Sequence, residues 1–78
     1  MAAVRLPAVS GQRVVRALTK AGFVVDRIVG SHHVLEHPGD PTRTVVVPCH
    51  SRRDLKPGTL RGIIRQAGLT VEEFSKLL

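Results

Sequence analysis

Three of the chain's four histidines fall in one short stretch, Gly30-Ser31-His32-His33-Val34-Leu35-Glu36-His37-Pro38, and the fourth, His50, follows the single cysteine, Cys49. An imidazole titrates near neutral pH, so such a ring can take a proton from one oxygen or give one to another. On a ribonucleotide chain that is enough for scission. The ribose 2′-hydroxyl supplies the nucleophile, a histidine removes its proton or protonates the departing 5′-oxygen, and nearby Arg and Lys hold the phosphate. Other chemistries fit less well. His32, His33, His37, Cys49 and His50 contain the donor atoms of a zinc site, but there is no C-x-x-C pair and adjacent strand residues diverge. Ser31 beside His32 supplies two parts of a nucleophilic triad in sequence only, because neighbours on a strand face opposite ways. No metal and no cofactor is therefore expected. The plain alternative is that the histidines are polar residues of an exposed strand.

A small scaffold has to position these side chains. At 78 residues the chain makes one domain with a modest core and no cofactor-sized cavity, so any site is shallow. Phe23 and Phe74 are the only aromatics apart from histidine, which leaves the core to Val, Leu, Ile and Ala. A lone cysteine cannot close an internal disulfide, and a secreted domain of this size would usually carry several, which favours a reducing, cytoplasmic setting. The opening residues, Met1 to Val9, hold too short an apolar run for a signal peptide, and no stretch approaches membrane-spanning length. Residues 1–9 read as a flexible N-terminal segment.

Ser10 can cap a helix to about Ala21, with Val14, Val15, Leu18 and Ala21 on one side and Arg13, Arg16 and Lys20 away from it. Gly22 ends it. Phe23–Val29 is β-branched and reads as a strand covered on much of both faces. Gly30-Ser31 is a tight turn. The following strand sets His33, Leu35 and His37 on one side and His32, Val34 and Glu36 on the other. Pro38–Arg43 is dense in turn formers, and Thr44–Pro48 is a short strand stopped by its proline. A basic loop leads to Pro57 and a helix striped by Leu60, Ile63, Ile64 and Ala67, closed by Gly68. Thr70 and Glu73 form a capping box for a short terminal helix bearing Phe74, Leu77 and Leu78, which packs on the core.

The fold class is thus α+β. Residues 10–69 form one domain, an antiparallel three-stranded meander covered on one face by two helices, with a short extra helix over 70–78. The uncovered face is where function should be sought. Twelve Lys and Arg against six acids give a net charge of +6, which points to an anionic partner: nucleic acid first, an acidic protein second. The same excess also serves solubility.

Three blocks carry a resemblance: the G-S-H-H turn, the V-x-V-P-x-H strand end, and L-x-x-G-T-L-R-x-I-x-x-Q-A-G-L in the closing helix. In this order, from about Ser10 to Leu69, they resemble the HicA family of toxin-antitoxin toxins, also called YcfA-like proteins. The resemblance implies a fold similar to a double-stranded RNA-binding domain and metal-independent cleavage of mRNA. It also implies a toxin that is a monomer when free and is blocked by a HicB-like antitoxin. The catalytic histidine of the family lies in the G-S-H-H motif, so the carry-over lands on His32 or His33. His32 is preferred as acid or base, with Gly30 and Ser31 shaping the turn that presents it. Arg27 before that turn and Lys56 before the last helix are reasonable phosphate contacts, or solvated charges. Pro57-Gly58-Thr59 offers free N–H groups or is an ordinary helix start. His50 and Arg52-Arg53 extend the positive loop, and His37 belongs to the second turn. The alternatives are a non-catalytic RNA-binding module of the same fold and a basic protein-interaction domain.

Overall fold

The computed structural model describes residues 5–50 and 52–78. Residues 1–4 of the segment expected to be flexible lie outside that range. Within it, Val9 is already buried in the core and Leu6 packs against it.

Ser10 is extended, and its hydroxyl oxygen accepts from the Arg13 N–H, satisfying one of the free donors at the start of helix α1 (Gly11–Lys20). Val14, Ala17 and Leu18 recur at helical spacing and are buried, while Arg13, Arg16 and Lys20 face water. The helix closes on two reversed bonds, Gly22 N–H to the Thr19 carbonyl and Phe23 N–H to that of Leu18. This closure needs a left-handed residue, and Gly22 supplies it at φ +97°. It also folds Phe23 back into the core beside Leu18. Helix α2 (Pro57–Gln66) buries Leu60, Ile63 and Ile64 and ends with the same pair of bonds, from Gly68 to Arg65 and from Leu69 to Ile64.

Strands β1 (Val24–Val29), β2 (His32–His37) and β3 (Asp40–Pro48) form an antiparallel meander in the order β1-β2-β3. On one face of it Leu35, Val45 and Val47 are fully buried with the apolar stripes of α1 and α2. Helix α3 (Val71–Ser75) starts at the foreseen capping box. The Thr70 hydroxyl accepts from the Glu73 N–H at 3.0 Å, and the Glu73 carboxylate accepts from the Thr70 N–H at 2.8 Å. Those bonds hold the Glu73 carboxyl below its usual pKa. Phe74, fully buried, makes α3 part of the core. Arg43 adds a tie from the sheet to the end of α2: its Nε donates to the Ala67 carbonyl at 2.8 Å, and its guanidinium lies over the Phe23 ring.

Two expectations need correction. Strand β1 is not covered on both faces, since all six of its residues are exposed, Val24 at 53%, Ile28 at 58% and Val29 at 60%. It is an edge strand, and the helices pack chiefly on β3, with only a slight contact from α1 to β1. Strand β3 also starts at Asp40, not Thr44, because the turn uses only Pro38 and Gly39. Pro41 fits inside an edge strand because pairing is broken there: Leu35 faces Val45, yet His37 faces Asp40. The Asp40 carboxylate organises the bulge, accepting from the Thr42 hydroxyl at 2.6 Å and its N–H at 3.1 Å, which lowers the Asp40 pKa.

Candidate active site

The tight turn between β1 and β2 has two residues, Gly30 and Ser31, closing on the pair Val29 and His32. Gly30 sits at φ +59° with Ser31 at negative φ, the signs of a hairpin turn that follows the strand twist and that only glycine enters without strain. Beyond it, strand alternation decides which histidine meets solvent. Leu35 points into the core, so His33, two residues back and paired with Val47, shares the helix side. There it is half-buried against a cleft of about 480 Å³ lined by Gln12, Val15, Arg16, Thr19 and Lys20, all from α1. Its Nδ1 is sealed from solvent and has no hydrogen-bond partner among the described residues. His32, one residue earlier, lies on the uncovered face and is exposed. Arg27, opposite Val34, is on that same face, with its guanidinium 2.8 Å from Asp26.

One site residue was missed by sequence reasoning, which left His50 in a positive loop. The β2–β3 ladder runs one step past the strands: the Cys49 N–H donates to the Ser31 carbonyl at 2.7 Å. His50 is thereby laid beside the turn. Its Nδ1 is 2.7 Å from the Ser31 hydroxyl, and its ring meets that of His32 edge to face, with centroids 5.2 Å apart. Two imidazoles, on different parts of the chain, therefore adjoin at one exposed spot. The signal available beforehand was the register: once Leu35 is set against Val45, Cys49 falls opposite Ser31.

The loop after β3 is pinned at its far end, where Leu55 N–H donates to the Val9 carbonyl at 2.8 Å and Asp54 bridges Ser10. This fixes Lys56, exposed at the start of α2, on the rim of a cleft of about 340 Å³ that also includes Pro48, His50, Arg53, Asp54 and Thr59. Of the residues singled out in the sequence, His32, Ser31 and Gly30 come together at the turn. Arg27 shares the open face, Lys56 lines the cleft that also holds His50, and His33 faces away. His37 belongs to the second turn, as expected: its Nδ1 accepts from the Gly39 N–H at 3.2 Å and its ring packs edge-on to Phe23.

Among the described residues no three His, Cys, Asp or Glu side chains gather into a metal cage. Burial raises the pKa of Cys49, and its Sγ lies 3.7 Å from the Val47 carbonyl, so the thiol is structural in character. No described helix is long and apolar enough to cross a membrane. What the arrangement offers is a pair of proton carriers beside cationic side chains, on a sheet face open to a large ligand. Comparison with curated proteins gives no match. The family described as HicA toxin of bacterial toxin-antitoxin systems matches residues 11–69, which include the meander, the Gly30–Ser31 turn and all four histidines, and the chain belongs to that family.

Proposed function

We propose that this toxin is an endoribonuclease that cuts mRNA without a metal ion, using His32 as general acid or base, and that a HicB-like antitoxin holds it inactive. The observation that carries this reading is the exposure of His32 on the uncovered sheet face, next to a second imidazole, while His33 is turned under α1. RNA brings its own nucleophile, so a proton carrier and a grip on the phosphate suffice. Arg27 and Lys56, with the Gly30–Ser31 turn, supply the grip. Structured RNA is met across its shallow minor groove, where the 2′-hydroxyls are displayed. The family membership supports the toxin role, and the charge of +6 supports an anionic ligand.

The test is induced expression in a bacterial host, alone and with an antitoxin, together with cleavage of purified RNA. His32→Ala is expected to abolish growth arrest and slow cleavage by about 10²- to 10⁴-fold, the usual contribution of a positioned acid or base. His33→Ala is expected to keep both. Unhindered growth and intact RNA with the unaltered protein would remove the reading; salt-dependent binding without cutting would then favour a non-catalytic RNA module.

A further inference from the structure

We infer that His50 is a second catalytic histidine, paired with His32 in one proton relay and positioned by the Ser31 hydroxyl. The inference rests on the ribonuclease reading above and deepens it. Attack of the 2′-oxygen on phosphorus places the entering and departing oxygens on opposite sides of that atom, so a single imidazole cannot serve both at once. Two proton carriers are needed if both transfers are to be assisted, and the fold sets two edge to face, 5.2 Å between centroids.

The hydrogen bonding of His50 suits this role. Its Nδ1 is engaged by the Ser31 hydroxyl at 2.7 Å, which leaves Nε2 as the atom that exchanges protons with a ligand. A hydroxyl can donate to a bare ring nitrogen or accept from a protonated one. The ring is therefore held in place in either state, whereas a carboxylate partner would favour the charged form alone. Backbone pairing reinforces the placement, since the Cys49 N–H is bound to the carbonyl of the same Ser31. Around His50 the charged groups are Arg53, Asp54 and Lys56, which line the same cleft, and the His32 imidazole adjoins it across the turn.

The 2′-hydroxyl proton passes to one imidazole as the O2′–P bond forms. The P–O5′ bond breaks, and the proton on the other imidazole passes to the 5′-oxygen. The products are a 2′,3′-cyclic phosphate and a 5′-hydroxyl, and exchange with solvent, one proton leaving the first imidazole and one joining the second, restores the pair.

The experiment is single-turnover cleavage of two substrates by the full-length protein: ordinary RNA, and the same RNA with sulfur in place of the scissile 5′-oxygen, a leaving group that departs without being protonated. On ordinary RNA, His32→Ala and His50→Ala each slow cleavage by about 10²-fold or more, and binding of a 2′-O-methyl analogue stays within about threefold. On the sulfur substrate one of the two variants, the one lacking the acid, recovers to within about tenfold of the unaltered protein, and the other does not. Ser31→Ala, a positioning change, loses about three- to tenfold, the worth of one hydrogen bond, and follows His50→Ala across the two substrates. His50→Asn, which keeps the polar shape but carries no mobile proton, behaves like His50→Ala and guards against a folding artefact. Cleavage by His50→Ala within threefold of the unaltered protein, with His32→Ala inactive, overturns the relay and leaves the ribonuclease reading intact. Rescue of both variants or of neither also overturns it. If the unaltered protein cuts neither substrate, the ribonuclease reading itself fails and the relay with it.

Discussion

Gly11→Ala is a change in which two effects of opposite sign can be weighed. Replacing glycine by alanine in a helix gains at most about 1 kcal/mol, from the smaller entropy of the unfolded chain. At Gly11, however, a Cβ would overlap the Pro48 carbonyl oxygen, with the Pro48 carbonyl carbon at 3.0 Å and Cys49 Sγ at 3.1 Å. The obstacle is backbone. Pro48 is paired with His32 and Cys49 is bonded to Ser31, so neither can yield without disturbing the sheet. Overpacking of this kind costs about 1–3 kcal/mol or more, so the loss outweighs the gain. For a domain of this size each 1 kcal/mol moves the melting temperature by about 4–8 °C, and a fall of roughly 5–15 °C is expected. Gly62→Ala is the internal control, because nothing lies within 4 Å of a Cβ there. It should melt a few degrees higher, for a gain of about 0.5–1 kcal/mol. Thermal unfolding followed by circular dichroism measures both. Gly11→Ala melting at or above the unaltered protein, or the two alanines shifting together, would refute the packing argument. Under the proposed ribonuclease activity the variant has a second readout, since displacing Pro48 and Cys49 also draws His50 away from Ser31.

Three further outcomes are expected. Phe74→Ala should cost about 3–5 kcal/mol by urea titration, a large part of the roughly 4–12 kcal/mol available to 78 residues, because α3 anchors in the core through this ring. The Glu73 carboxyl has a folded pKa below its unfolded value near 4.5, so its contribution is complete above that pH and is lost as pH falls through the folded value. Glu73→Gln should accordingly flatten the acid limb of the stability curve, lowering stability in the neutral region and leaving it nearly unchanged once pH has fallen through the folded value. Cys49, with its pKa raised by burial, should react with iodoacetamide at pH 7.5 more slowly than a free thiol and accelerate when the chain is unfolded in urea; equal rates would contradict it.

The features that were legible in advance are those fixed by near neighbours in the chain. Ser10, Gly22, Gly68 and the Thr70–Glu73 pair mark helix ends because caps are closed within a few residues. The opposed directions of His32 and His33 follow from strand alternation, and Leu35 then settles which of them faces the helices. What was not legible depends on partners far along the chain. Val24, Val25, Ile28 and Val29 look the same in sequence whether a helix covers them or not, and only strand order and the placement of α2 over β3 leave them bare. The start of β3 was hidden by Pro41 and Asp40, turn formers that a bulge absorbs. His50 was read as loop because its nearness to Ser31 is a matter of register across the sheet, 19 residues away in the chain.

Exposed strand β1 slips in its pairing with β2 at Asp26, and this has a bearing on how the molecule behaves in a crowd. A rim strand offers its unused amide and carbonyl groups to any extended segment that comes alongside, and four bare aliphatic side chains would make that encounter adhesive. Here the run is cut in two. Pairing shifts between Val25 and Arg27, leaving two residues before the break and three after it, with the Asp26–Arg27 ion pair at the joint. Each piece is shorter than the segments of about six or seven residues that build a cross-β ladder, so the break works against templating along this oily margin.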